Sequence, residues 1–271
     1  MVDSDDIHII PGSVDSHFHT LIMEEKSLPA PDILRTCFDA GLAYGLDIAV
    51  SLDDFEQRRQ RLTPFPHVYL TAGFHPSQAG SRRFPEVESE LRRRLSDPRV
   101  VALGEVGLDF YRNHGTPAEQ ADLVVSQIEL ANEYSLPLII HNREAASELY
   151  DLFRAHPPIA ESVMHCFSAD ADTARRFLDL GFTISFGGNV TYKRSEPIRE
   201  AARLVPADRI LTETDAPFLA PQAVRGKPNH PGYVGYTYEF LATLRGETST
   251  ADLVSHTKKN FERIFSVVPS R

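Results

Sequence analysis

The stretch AEQADLVVSQIELANEYSLPLIIH (118–141) holds both periods from which the fold is read. In its first part Leu123, Val124, Ile128, Ala131 and Tyr134 recur at helical spacing, as one face of an amphipathic helix requires. LPLIIH (136–141) is then almost wholly apolar, the pattern of a parallel strand buried on both faces. The alternation continues in both directions. Further strand candidates are SVDSHFH (13–19), LDIAVSL (46–52), HVYLTAGFH (67–75), VVALGEVGL (100–108), SVMHCF (162–167), FTISFGG (182–188) and RILTETD (209–215). ADTARRFLDLG (171–181) is a second helical pattern, with Gly181 placed as its C-cap. About eight such units in 271 residues make an α/β protein and fit a (β/α)8 TIM-like barrel. A doubly wound sheet is the rival, but no G-x-G-x-x-G follows the first strand. No low-complexity linker interrupts the pattern, so residues 1–271 read as a single domain.

Composition narrows the class. Hydrophobic residues make up 42% and charged residues 24%, ordinary for a globular protein with a sizeable core. No run approaches the roughly 18 apolar residues that span a bilayer. The N-terminal MVDSDDIHIIPG is acidic and lacks the features of a signal peptide, so a cytoplasmic location and no membrane partner are expected. The two cysteines, Cys37 and Cys166, make no disulfide framework. Cys166 reads as a buried strand residue rather than a nucleophile. The net charge of −10 disfavours broad, non-specific duplex binding, which relies on Lys and Arg at phosphates. It leaves open a nucleic acid handled end-first in a pocket where bound cations supply positive charge.

Ionisable residues gather at the downstream ends of the apolar runs: His17, His19, His75, Glu105, Asp109, His141, His165 and Asp215. In a parallel barrel all strand C-termini open onto one face, so these residues converge on one mouth. Side chains at i and i+2 of a strand share a face, so His17 and His19 aim two imidazoles at one point. Glu105, flanked by glycines in ALGEVGLD (102–109), needs a partner if buried, and its two oxygens suit it to bridging two metal ions. A structural ion pair with Arg143 is the plainer alternative. His141 and His165 are placed to complete a second metal's shell. Asp215, within LTETDAPFLAP (211–221), is able to bind a cation and take a proton from an attacking water. His75, Asp109 and Glu213 are candidates to orient the ligands from behind. Arg112, Arg143, Lys193 and Arg225, with Lys227, follow strand ends in turn-marked loops, where substrate phosphates would lie. This His-rich set suits Zn²⁺ or Mn²⁺, and its carboxylates suit Mg²⁺.

The chain resembles the TatD family of metal-dependent hydrolases, within the amidohydrolase-like superfamily. The resemblance is carried in order by VDSHFH, AGFHPSQA, GEVGLDFYR, QIELANEYSLPLIIHNREA, MHCFSAD, GFTISFGGNVTYK, EAARLVPADRILTETDAPFLAP, RGKPNHPGYV and TKKNFERIF. Two small departures, CFSAD and GFHPS, touch no candidate ligand. The resemblance implies a TIM-like barrel with two divalent ions. His17, His19, Glu105 and Asp215 would hold one ion, and Glu105, His141 and His165 the other. It further implies a deoxyribonuclease, of the 3′→5′ exonuclease kind, acting on DNA as a single strand or from an end. No obligate protein partner is indicated. The alternatives are a same-fold hydrolase of esters or amides, such as D-aminoacyl-tRNA, and a non-catalytic metal-binding protein.

Overall fold

The computed structural model describes residues 7–81, 84–112 and 114–268. Eight parallel strands follow one another in sequence order around one sheet. They are β1 (Val14–Phe18), β2 (Tyr44–Asp47), β3 (Val68–Ala72), β4 (Val100–Asp109), β5 (Leu138–Arg143), β6 (Val163–Met164), β7 (Thr183–Phe186) and β8 (Ile210–Thr212). The seam closes just past β8, where Phe18 bridges Ala216 in parallel. There Asp215 N–H donates to His17 O at 2.9 Å, and His19 N–H to Ala216 O at 2.8 Å. The expected (β/α)8 barrel is the observed one. All but the fourth and fifth strands are shorter than their apolar runs, and the second and sixth show why. The second is centred earlier, on Tyr44–Asp47, so residues 48–52 enter the loop that follows. The sixth is only two residues long, because the backbone turns at Cys166, where φ is +42°.

Helices pack outside. The helix Pro117–Tyr134 begins with a reciprocal capping box between Thr116 and Glu119. Gln120 and Gln127, seven residues apart on its buried face, act as backbone surrogates for strand ends. The Gln127 side chain accepts from Phe74 N–H at 2.7 Å and donates to Phe74 O at 3.1 Å. Gln120 exchanges the same pair with Asp109, at 2.9 and 3.1 Å. The helix Ala171–Asp179 ends at Gly181, whose φ is +88°. Gly181 N–H donates to Leu178 O and Phe182 N–H to Phe177 O, a Schellman closure that favours glycine there.

The barrel interior has two levels. Val14, Ile139, Val163 and Leu211 point into the lower level and pack with Tyr44, Phe261 and Ile264. Phe261 belongs to the helix Thr250–Ile264, which plugs that end, its ring stacked on Tyr44 with centroids 5.4 Å apart. Intervening residues such as Leu138, Ile140, Ile184 and Phe186 face outward, into the larger core beneath the helices.

Candidate metal centre

Period-two alternation sets the upper level. Two residues beyond Ile139, Val163 and Leu211 stand His141, His165 and Glu213, so the face that is apolar below becomes ionisable above. Two irregularities re-aim the remaining candidates. Between Asp15 and Phe18 the register of β1 against β2 shifts, and His17 lies within that shift. In β4, Gly104 faces Ile139 and Val106 faces Ile140, which leaves Glu105 as an inserted residue. Close backbone approach maintains this stretch: a Cβ on Gly107 would lie 1.9 Å from His141 O.

One group of donors gathers at the seam. His17 Nε2 and His19 Nε2 are 3.2 Å apart. Glu105 Oε2 lies 3.7 Å from His17 Nε2 and 3.9 Å from His19 Nε2. Asp215 Oδ1 lies 3.7 and 3.6 Å from the same two nitrogens. Donors about 2.1 Å from one ion at tetrahedral angles sit about 3.4 Å apart, so this spacing is that of a coordination shell. His19 Nδ1–H donates to Ile48 O at 3.2 Å, leaving its Nε2 lone pair free for a ligand. Asp215 adopts φ +55°, a left-handed conformation that aspartate tolerates better than most residues.

The other oxygen of Glu105 serves a second group. Glu105 Oε1 is 2.7 Å from His141 Nδ1 and 2.8 Å from His165 Nε2, and those nitrogens are 3.4 Å apart. Behind them, Glu213 Oε1 lies 3.3 Å from His165 Nδ1, and Asp109 Oδ2 lies 3.6 Å from His141 Nε2. His75 Nε2 approaches Glu105 Oε1 at 4.0 Å. Its Nδ1 accepts the N–H of Ser77 at 3.0 Å, so the neutral ring carries its proton on Nε2, the atom that faces Glu105 beyond hydrogen-bond distance. Burial lowers the pKa of His75 to about 3, which keeps it neutral.

Electrostatics separate the imidazoles. Burial would raise the pKa of Glu105, but His165, His75 and His141 outweigh it and hold the carboxyl well below its ordinary range. Burial and the neighbouring His165 hold His17 well below its ordinary value. The two rings stack 3.9 Å apart, so a charge on one opposes a charge on the other. Burial opposes charge on His165 too, yet Glu105 and Glu213 overcome it and raise its pKa. Several buried atoms have no hydrogen-bond partner, among them His17 Nδ1, His141 Nε2 and Glu213 Oε2. Mixed imidazole and carboxylate donors at ligand spacing, with unsatisfied polar atoms among them, fit divalent cations.

The structure brings His17, His19, Glu105, His141, His165 and Asp215 into one cluster, with His75, Asp109 and Glu213 around it. The ion pair of Glu105 with Arg143 does not form. Cys166 is half-buried rather than buried; burial and then Asp215 raise its thiol pKa well above the ordinary value, which keeps it un-ionised. The basic candidates follow the C-terminal ends of β4, β5, β7 and β8 as expected, but outside the cluster. Arg112 contributes its backbone N–H to Asp109 Oδ1 at 2.9 Å while its side chain is exposed, and Lys193 is exposed. Arg143 lies 3.9 Å above the Tyr111 ring and Arg225 4.3 Å above Tyr192.

Sequence reasoning passed over the supports of the seam. Asp15 accepts from Thr214 N–H at 2.9 Å and Thr214 Oγ1–H at 2.6 Å, tying the segment before Asp215 to β1. Burial pushes its pKa up to about 8. Asp47 accepts from Arg58 Nε at 2.6 Å and from Thr20 N–H at 2.8 Å, which anchors the chain just after His19. Asn229 Nδ2 donates to Thr214 O and Phe218 O at 2.7 and 2.6 Å. Asp15 beside the histidine pair in VDSHFH was the available signal; Asp47 and Asn229 carried none.

Comparison with known proteins agrees with this geometry. The profile of the family described as TatD related DNase matches residues 14–266. The uncharacterized metal-dependent hydrolase YcfH of Escherichia coli K12 is 36% identical over 261 residues, covering 95% of this chain and 97% of that protein. The 3′-5′ ssDNA/RNA exonuclease TatD of Escherichia fergusonii is 32% identical over 242 residues, covering 87% of this chain and 92% of that protein. Among solved structures, the TatD homologue YjjV of E. coli superposes with a TM-score of 0.83 at 26% identity, covering 96% of this chain and all of that one. No helix among the described residues is long and apolar enough to cross a membrane. The chain belongs to the TatD family of metal-dependent hydrolases.

Proposed function

We propose that this protein is a two-metal phosphodiesterase that cleaves single-stranded DNA from its 3′ end. The observation that carries the metal count is the division of Glu105: Oε2 faces His17 and His19, and Oε1 faces His141 and His165. His17, His19, Glu105 and Asp215 would hold one ion; Glu105, His141 and His165 would hold the other. Bound divalent ions supply a water of lowered pKa and positive charge at the phosphoryl oxygens. Asp215 Oδ1 lies beside the histidine pair, and the carboxylate would accept a proton from the attacking water. Glu213 orients the ring of His165, while Asp109 and His75 stand close behind His141 and Glu105. Arg143, at the end of β5, and Arg112, Lys193 and Arg225, in loops around the mouth, would meet neighbouring phosphates. The nucleic-acid substrate and the 3′→5′ direction rest on the named activity of the E. fergusonii relative.

The test uses metal-stripped protein and end-labelled single- and double-stranded DNA, with Mg²⁺, Mn²⁺ or Zn²⁺ restored in turn. Metal-dependent shortening of the single strand from its 3′ end is expected. Absence of cleavage with every ion, alongside hydrolysis of a small ester or an aminoacyl-tRNA, would replace the nuclease assignment with a sister activity.

A further inference from the structure

Among the described residues five large apolar side chains are exposed: Tyr111, Ile159, Phe218, Leu219 and Val268. Ile159 precedes β6, at the plugged end of the barrel. Both aromatic ones, Tyr111 at 60% and Phe218 at 38% exposure, stand in loops leaving the mouth, after β4 and after β8. Each is tied to a different half of the cluster. The Phe218 ring centroid lies 6.1 Å from that of His19, and Phe218 N–H donates to Asp215 O at 2.8 Å. Tyr111 N–H donates to Asp109 Oδ1 at 3.0 Å, and the other oxygen of Asp109 faces His141.

Each ring also carries a cation. Lys26 Nζ lies 4.3 Å from the Phe218 centroid, and the Arg143 guanidinium 3.9 Å from that of Tyr111. A ring face that reaches solvent accepts any nucleobase by stacking. A cation beside the ring suits the phosphate joined to that base. Single strands present both groups; duplex bases are already stacked and paired.

We propose that Phe218 with Lys26, and Tyr111 with Arg143, form two base-stacking seats for a single nucleic-acid strand, one on each flank of the scissile phosphate. This inference rests on the nuclease reading above and names how the strand is held. Stacking is sequence-tolerant, so the seats supply affinity rather than base specificity.

The experiment measures binding, so that it does not depend on cleavage. Fluorescence anisotropy compares a phosphorothioate-linked thymidine decamer with an abasic decamer of the same linkage, using the full chain in Mg²⁺. The unsubstituted protein binds the thymidine strand more tightly. Phe218→Ala and Tyr111→Ala each weaken that binding by roughly 5- to 100-fold and narrow the preference over the abasic strand. Tyr111→Phe, which keeps the ring, restores most of the affinity, and Ile159→Ala changes nothing. Equal affinity of the unsubstituted protein for the two strands, or a loss in Tyr111→Phe as large as in Tyr111→Ala, overturns the proposal. A preserved base preference with no cleavage of an ordinary strand keeps the seats and removes the nuclease assignment.

Discussion

At the lower end of the barrel Val14, Ile139, Val163 and Leu211 meet Phe261 and Ile264 of the plugging helix. Two residues further along the same strands stand Ser16, His141, His165 and Glu213. One end excludes water by apolar packing; the other concentrates charge that only partners or cations neutralise. The division of labour between stability and chemistry therefore runs across the barrel, and a substitution should report which side of it a residue occupies.

The largest effect is expected at the mouth. Glu105→Ala should lower DNA turnover by more than roughly 1,000-fold while far-UV circular dichroism stays unchanged, because both groups lose their common carboxylate. Metal content per chain, measured by emission spectrometry, should fall with it. At the plugged end, Phe261→Ala removes a fully buried ring and should cost about 3–5 kcal/mol in denaturant unfolding. Turnover per folded molecule should hardly change; a large loss of turnover would break the division.

Glu213→Gln keeps the shape behind His165 but removes the charge. Metal affinity in competition with a chelator should fall roughly 10- to 100-fold. The smallest effect sharpens the comparison, because Asp170 lies on the mouth side yet serves architecture. Its carboxylate accepts from Thr173 N–H at 2.9 Å as the N-cap of the helix Ala171–Asp179. Asp170→Ala should cost about 1 kcal/mol and leave turnover intact. That backbone hydrogen bond lowers the folded-state pKa below the ordinary 3.8. The stabilisation is therefore complete above the unfolded-state value and disappears as pH falls through the lower folded value. Stability curves of the two proteins should converge on acidification below about pH 4.

The barrel was legible in the sequence because parallel strands buried on both faces leave apolar runs, and helices between them leave a different period. Strand limits were less legible. Tyr44 and Gly45 begin β2 without an apolar run, while the run through Cys166 is cut short by a backbone turn. Most candidate ligands could be read because they end or closely follow a run, and Glu105 because it is the one carboxylate inside VVALGEVGL (100–108), where an ionisable residue is conspicuous. Their supports could not, since a buried polar pair is recognised only when both members meet. Asp15 and Thr214 are 199 residues apart, and neither is unusual in its own neighbourhood. The stacked positions of Arg143 on Tyr111 and Arg225 on Tyr192 were likewise invisible, because ring–cation contacts leave no periodic trace.

The seam between the first strand and the segment after the last has a consequence for biosynthesis. His17 O accepts from Asp215 N–H, and Phe18 bridges Ala216, so the earliest and nearly the latest elements of the barrel meet where the cluster forms. During synthesis the histidine pair emerges long before Asp215, and the cluster cannot be completed until Asp215 has been translated and returned to β1. Such long-range closure comes late in folding. Nascent, truncated or partly opened chains therefore hold the candidate residues scattered and the cluster incomplete, so the site forms only when the fold around it is whole.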